Sequence, residues 1–91
     1  MTYIMTRINV GDYDAWKASF DKDEPGVRTS ANGWRIFRSV ENPNEVFIQV
    51  EFSSADEATT ARERLLASGV LDRFDDKAGP TVVEEAEVVS R

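Results

Sequence analysis

The sequence predicts an α+β fold of the ferredoxin-like kind. Its elements run β-α-β-β-α-β, with an antiparallel sheet and both helices on one face. Three observations predict it. Gly33 to Ser53 reads as two strands joined by a tight turn. The segments flanking that hairpin carry apolar residues at helical spacing. Alternating, strand-like runs open and close the chain. At 91 residues this makes one domain, residues 1–91.

The first strand spans residues 2–10. Ile4, Thr6, Ile8 and Val10 face one way, and Tyr3, Met5, Arg7 and Asn9 the other. Gly11 ends it, and Asp12 or Asp14 can cap the helix that follows. Tyr13, Trp16 and Phe20 fall on one helical face. Pro25-Gly26 breaks the helix, and a weaker turn runs from Val27 to Ala31. In the hairpin, Asn42-Pro43-Asn44-Glu45 suits a type I turn. Strand two points either Trp34, Ile36 and Arg38 or Arg35, Phe37 and Ser39 toward the helices; the alternation allows both.

Strand three has Val46, Ile48, Val50 and Phe52 on one face, and Phe47, Gln49 and Glu51 on the other. Ser54-Ala55-Asp56-Glu57 matches a capping box. Ala58, Ala61, Leu65 and Leu66 continue at helical spacing, and Gly69 suits the helix end. Residues 70–78 read as a short amphipathic turn with Val70, Leu71 and Phe74 inward. Gly79-Pro80 is expected to start the last strand, Thr81 to Val89, with Glu84-Glu85-Ala86-Glu87 as a charged edge.

Composition narrows the chemistry. The net charge is −6, divided as −1 over residues 1–50 and −5 over residues 51–91, with no basic cluster. Nucleic acid is therefore not an expected partner. The chain has no Cys and no His. This excludes disulfides and thiol nucleophiles, and removes the commonest metal ligand and general base. No metal and no cofactor are expected. No run reaches the length of a membrane span, and the first residues do not read as a signal peptide. No membrane partner is expected, and the cytoplasm is the expected location.

The face opposite the helices carries Tyr3, Met5 and Phe47 beside Arg7, Gln49 and Glu51. Exposed, the apolar members would form a patch of the kind that marks an interaction site. A homodimer through this face is the expected partner. Arg7 is expected to pair with Glu51 or Glu85.

Two segments carry a family resemblance. They are Asp12-Tyr13-Asp14-Ala15-Trp16-Lys17 with Phe20-Asp21, and Arg35-Ile36-Phe37-Arg38 followed by Asn42-Pro43-Asn44-Glu45-Val46. Together they resemble small bacterial proteins of the dimeric α+β barrel superfamily, near the antibiotic-biosynthesis monooxygenase-like domains. The resemblance implies a homodimer whose sheets pack into a barrel, with a ligand cavity in each protomer between helices and sheet. Its haem-degrading branch uses a His ligand, which this chain lacks. Its cofactor-free oxygenases use Asn, Trp, Tyr and Arg groups, types that Asn9, Trp16 or Trp34, Tyr13 and Arg38 can supply.

The candidate ligand-binding residues are Asn9, Tyr13, Trp16, Phe20, Trp34 and Arg38; no catalytic residue is assigned. Each has a structural alternative: the helix aromatics as core, Trp34 as packing, Asn9 as a turn former, Arg38 as a surface ion pair. The expected function is binding of a small planar organic ligand, with cofactor-independent monooxygenation or isomerisation as its chemistry. The alternatives are a non-catalytic dimeric binding or accessory protein, and an interaction module that takes up a strand at the edge of the second or the last strand.

Overall fold

In a computed structural model, residues 1–24 and 26–91 are described. Strand β1 (Thr2–Asn9) leads to helix α1 (Tyr13–Lys22), then to the hairpin of β2 (Gly33–Arg38) and β3 (Glu45–Phe52). Helix α2 (Ala55–Ser68), a 3-10 helix (Val70–Arg73) and β4 (Lys77–Glu84) complete the chain. The sheet order is β2-β3-β1-β4, and every neighbouring pair is antiparallel. This is the ferredoxin-like α+β arrangement. Among the described residues no helix is long and apolar enough to cross a membrane.

Alternation builds the core. Ile4 and Ile8 of β1 and Val46, Ile48, Val50 and Phe52 of β3 are all buried on the face under the helices. Ala58 and Ala61 of α2 and Leu71 of the 3-10 helix close over them. The register settles strand two. Trp34 lies opposite Val50, Ile36 opposite Ile48 and Arg38 opposite Val46, so these three share the helix face. Arg35 and Phe37, opposite Gln49 and Phe47, belong to the open face.

The local signals that end and start elements are in place. Asp12 is the N-cap of α1, its Oδ1 accepting from the Ala15 N–H at 3.2 Å. Ser54 caps α2 in the same way, accepting from the Glu57 N–H at 3.2 Å. The hairpin turn carries the expected bond, with the Glu45 N–H donating to the Asn42 carbonyl at 2.9 Å. Gly69 ends α2 in the left-handed conformation at φ 75°.

Four expectations need correction. First, α1 ends at Lys22, where Asp23 adopts a left-handed φ of 44°; Pro25 lies outside the described residues. Second, β4 begins at Lys77 and carries Gly79-Pro80 inside it. The β1 pairing shifts register there, between Met5 and Arg7, and such an irregularity on an edge strand accommodates proline. A side chain at position 79 would put its Cβ 2.6 Å from the Met5 carbonyl oxygen, so the close approach requires glycine. Third, β4 stops at Glu84, because Thr2, its partner, is where β1 begins. Glu85 to Val89 therefore lie beyond the sheet, with Val88 and Val89 exposed. Fourth, Arg7 pairs with neither Glu51 nor Glu85. Its guanidinium is 2.6 Å from Glu45 and 2.7 Å from Asp76, which flank it from the start of β3 and the approach to β4. Glu85 instead accepts from the Tyr3 hydroxyl at 3.2 Å.

Candidate functional site

The two helices cover the sheet differently, and the site lies in that difference. Helix α2 places Ala58 and Ala61 against the sheet, and small side chains allow close approach. Helix α1 has no buried residue, and none of its Cα atoms lies within 8 Å of a Cα in another element. Its large aromatic side chains bridge the gap.

Beneath α1 is a cavity of about 350 Å³. Its floor is Ile4, Thr6 and Ile8 of β1 with Ile48 and Val50 of β3. Trp16 and Phe20 form the roof, and Leu65, Val70, Leu71 and Phe74 form the far wall. The polar groups at its edge are Asp12, Ser19, Asp23, Arg28 and Arg73. The volume falls at the lower end of the roughly 300–1,000 Å³ of small-molecule sites, and the apolar lining with few polar groups is typical of them.

Five of the six sequence-predicted residues come together as one stacked array. Arg38 lies 3.8 Å from the Tyr13 ring centroid. Tyr13 tilts against Trp16 at 5.8 Å, and Trp16 against Phe20 at 4.9 Å. Arg28 sits 3.7 Å over the Phe20 ring and 4.5 Å from the Trp34 ring. The array joins α1 to edge strand β2 through three aromatic rings of α1 with a guanidinium at each end, Arg28 also meeting Trp34. Trp16 and Phe20 line the cavity directly; Tyr13, Trp34 and Arg38 do not. Arg38 is further held by its Nε, which donates to the Pro43 carbonyl at 2.9 Å. Asn9 stands apart: its Oδ1 accepts from the Gly11 N–H at 3.2 Å, closing the turn into α1.

Arg28 is a buried cavity-lining cation that the sequence did not point to. It is 9% exposed, lines the cavity and lies in the turn after α1. Its Nη2 donates to the Phe20 carbonyl. Asp23 organises that turn: its two carboxylate oxygens accept from the Val27 N–H at 3.2 Å and the Arg28 N–H at 3.1 Å. The signal for Arg28 in the sequence is slight, a lone cation within the short Val27 to Ala31 stretch.

The open sheet face has a different character. Met5, Phe37 and Phe47 are 40%, 49% and 41% exposed. Beside them, the Arg7 guanidinium holds the Asp76 carboxyl below its ordinary range, chiefly through their hydrogen bond. The Tyr3 hydroxyl is raised, first by desolvation and then by its bond to Glu85. Among the described residues, no three His, Cys, Asp or Glu side chains gather as they would around a metal ion.

Fold and site together define a ferredoxin-like α+β domain with an apolar cavity under its first helix. No protein-family model matches the chain, and no curated protein matches it. Solved structures do. A candidate antibiotic biosynthesis monooxygenase from Nitrosomonas europaea superposes with a TM-score of 0.65 at 11% identity, over 96% of this chain and 100% of that one. A structural-genomics protein from Agrobacterium tumefaciens superposes with a TM-score of 0.63 at 19% identity, over 94% of each chain. At these identities the likeness establishes the shared fold.

Proposed function

We propose that this protein binds a small, planar organic molecule in the cavity beneath α1 and is a cofactor-independent monooxygenase acting on it. The observation that carries the reading is the apolar space of about 350 Å³ roofed by Trp16 and Phe20. Flat aromatic walls favour a flat ligand. The structural likeness to a candidate monooxygenase supports the oxidative chemistry.

In this reading the substrate supplies the electrons. An anthrone-type methylene loses a proton and reacts with O2. One oxygen atom becomes the new carbonyl and the other leaves as water, so no external reductant is needed. Without His or Cys, the protein relies on a substrate that ionises readily. O2 uptake with anthrones and quinols tests this: uptake above the uncatalysed rate is expected, and Trp16→Ala should abolish the excess. Background uptake across the panel, with binding retained, would overturn the oxidative chemistry.

A non-catalytic binding role is favoured by a specific observation. The carboxylates at the cavity edge are engaged in structural hydrogen bonds, Asp12 capping α1 and Asp23 holding the turn at Val27 and Arg28.

The same reading has the chain act as a cytoplasmic homodimer through the open sheet face, with Tyr3, Met5, Phe37 and Phe47 at the contact. The exposure of Met5, Phe37 and Phe47 on a small domain supports it. A native mass of twice 10.2 kDa is expected; a species of 10.2 kDa at micromolar concentration would overturn it.

A further inference from the structure

We infer that Arg28 makes the cavity selective for planar aromatic anions, carboxylates or phenolates, over neutral molecules of the same shape. The inference rests on the cavity reading above and assigns the charge of its ligand.

Four observations support it. Arg28 is buried and lines the cavity. Its guanidinium carbon lies 3.7 Å from the Phe20 ring centroid and 4.5 Å from the Trp34 ring centroid, so two rings hold it in place. A guanidinium has five N–H donors. Among the described residues Arg28 uses one, from Nη2 to the Phe20 carbonyl. Every sealed side-chain nitrogen and oxygen of the described residues that are not exposed has a partner, so Nη1, for which no hydrogen bond is found, keeps some accessible surface.

Asp23 does not take up the remaining capacity. Its closest approach to the guanidinium is 3.6 Å, from Oδ1 to Nε, while both its oxygens are engaged by the backbone of Val27 and Arg28. The charge is partly balanced, but the donors remain free. A carboxylate or phenolate on a ring lying under Trp16 and Phe20 would accept from them in surroundings that are mostly apolar. There a charge-assisted bond is stronger than in water. Arginine suits this role because its rigid fork stays charged and stacks on aromatic faces. The cavity's other cation, Arg73, is exposed and has no ion pair among the described residues. It serves as a control.

The test uses 2-naphthoate and its neutral analogue 2-naphthamide, titrated into the full-length protein by calorimetry or tryptophan fluorescence. Wild type is expected to bind naphthoate about tenfold or more tightly than naphthamide, the size of one charge-assisted bond. Arg28→Gln should bring that ratio below about threefold, chiefly by weakening naphthoate. Arg28→Lys, which keeps the charge without the planar fork, should fall between them, and Arg73→Gln should retain the preference. Far-UV circular dichroism checks the fold of each variant. If Arg28→Gln does not fold, the wild-type ratio and Arg28→Lys decide.

Equal affinities in wild type, or a preference that survives loss of the guanidinium, overturn the inference and leave the cavity reading standing. Failure of both probes to bind overturns both.

Discussion

Helices α1 and α2 lie over the same sheet, yet they do different work. Helix α2 meets it with Ala58 and Ala61, which are 0% and 3% exposed, and becomes part of the core. Helix α1 meets it through Tyr13, Trp16 and Phe20, and none of its residues is buried. Close packing over one half of the sheet supplies stability. Standing off over the other half leaves a cavity whose roof is held by stacked rings and guanidinium groups. Side-chain size at their inner faces thus separates two helices of similar role in the topology: α2 closes on the sheet, and α1 leaves the space proposed to hold a ligand.

The sharpest way to break this comparison is to make the same deletion on each side. Phe52→Ala removes a ring that is 0% exposed in the core, and should destabilise by about 3–5 kcal/mol in urea unfolding. Phe20→Ala removes a partly buried ring over the cavity and should cost less than about 2 kcal/mol, while weakening ligand binding. Equal costs would mean that α1 is packed as α2 is.

Overfilling gives the next largest effect. Ala58→Leu forces extra volume into a closed contact and should cost about 1–3 kcal/mol. Ala15→Leu, on α1 and facing the cavity, should be tolerated within about 0.5 kcal/mol and should reduce ligand affinity. Caps come next: Ser54→Ala and Asp12→Ala should each cost about 1 kcal/mol, since each removes one helix-end acceptor.

The smallest effect concerns pH on the open face. Arg7 depresses the Asp76 carboxyl, so the pair's contribution is present above the ordinary aspartate range. It is lost as pH falls through the lowered folded-state value. Unfolding midpoints measured from pH 7 down to pH 2 should show an acid loss in wild type that is reduced in Asp76→Asn.

Much of the fold was legible because its signals are local. Strand alternation placed Val46 to Phe52, and the residue types at Asp12, Ser54 and Asn42 marked starts and turns. The limits of β4 were not legible, because they depend on where β1 begins and on a register shift opposite Met5. The site was partly legible. Trp16 and Phe20 follow from helical spacing, but whether they fill a core or roof a space depends on how far α1 stands from the sheet. Arg28 has no periodic partner in sequence; only the fold brings it between Phe20 and Trp34.

The most direct test follows the two tryptophan side chains by proton–nitrogen NMR while a panel of planar aromatic acids and phenols is added. Only Trp16 lines the cavity; Trp34 lies behind Arg28. Saturable shifts are expected at the Trp16 indole N–H, at α1 amides and near Leu65, with smaller ones at Trp34 and little change around Ala58 and Ala61. Shifts confined to Met5, Phe37 and Phe47 on the open face, or no saturable shift with any member of the panel, would contradict that expectation.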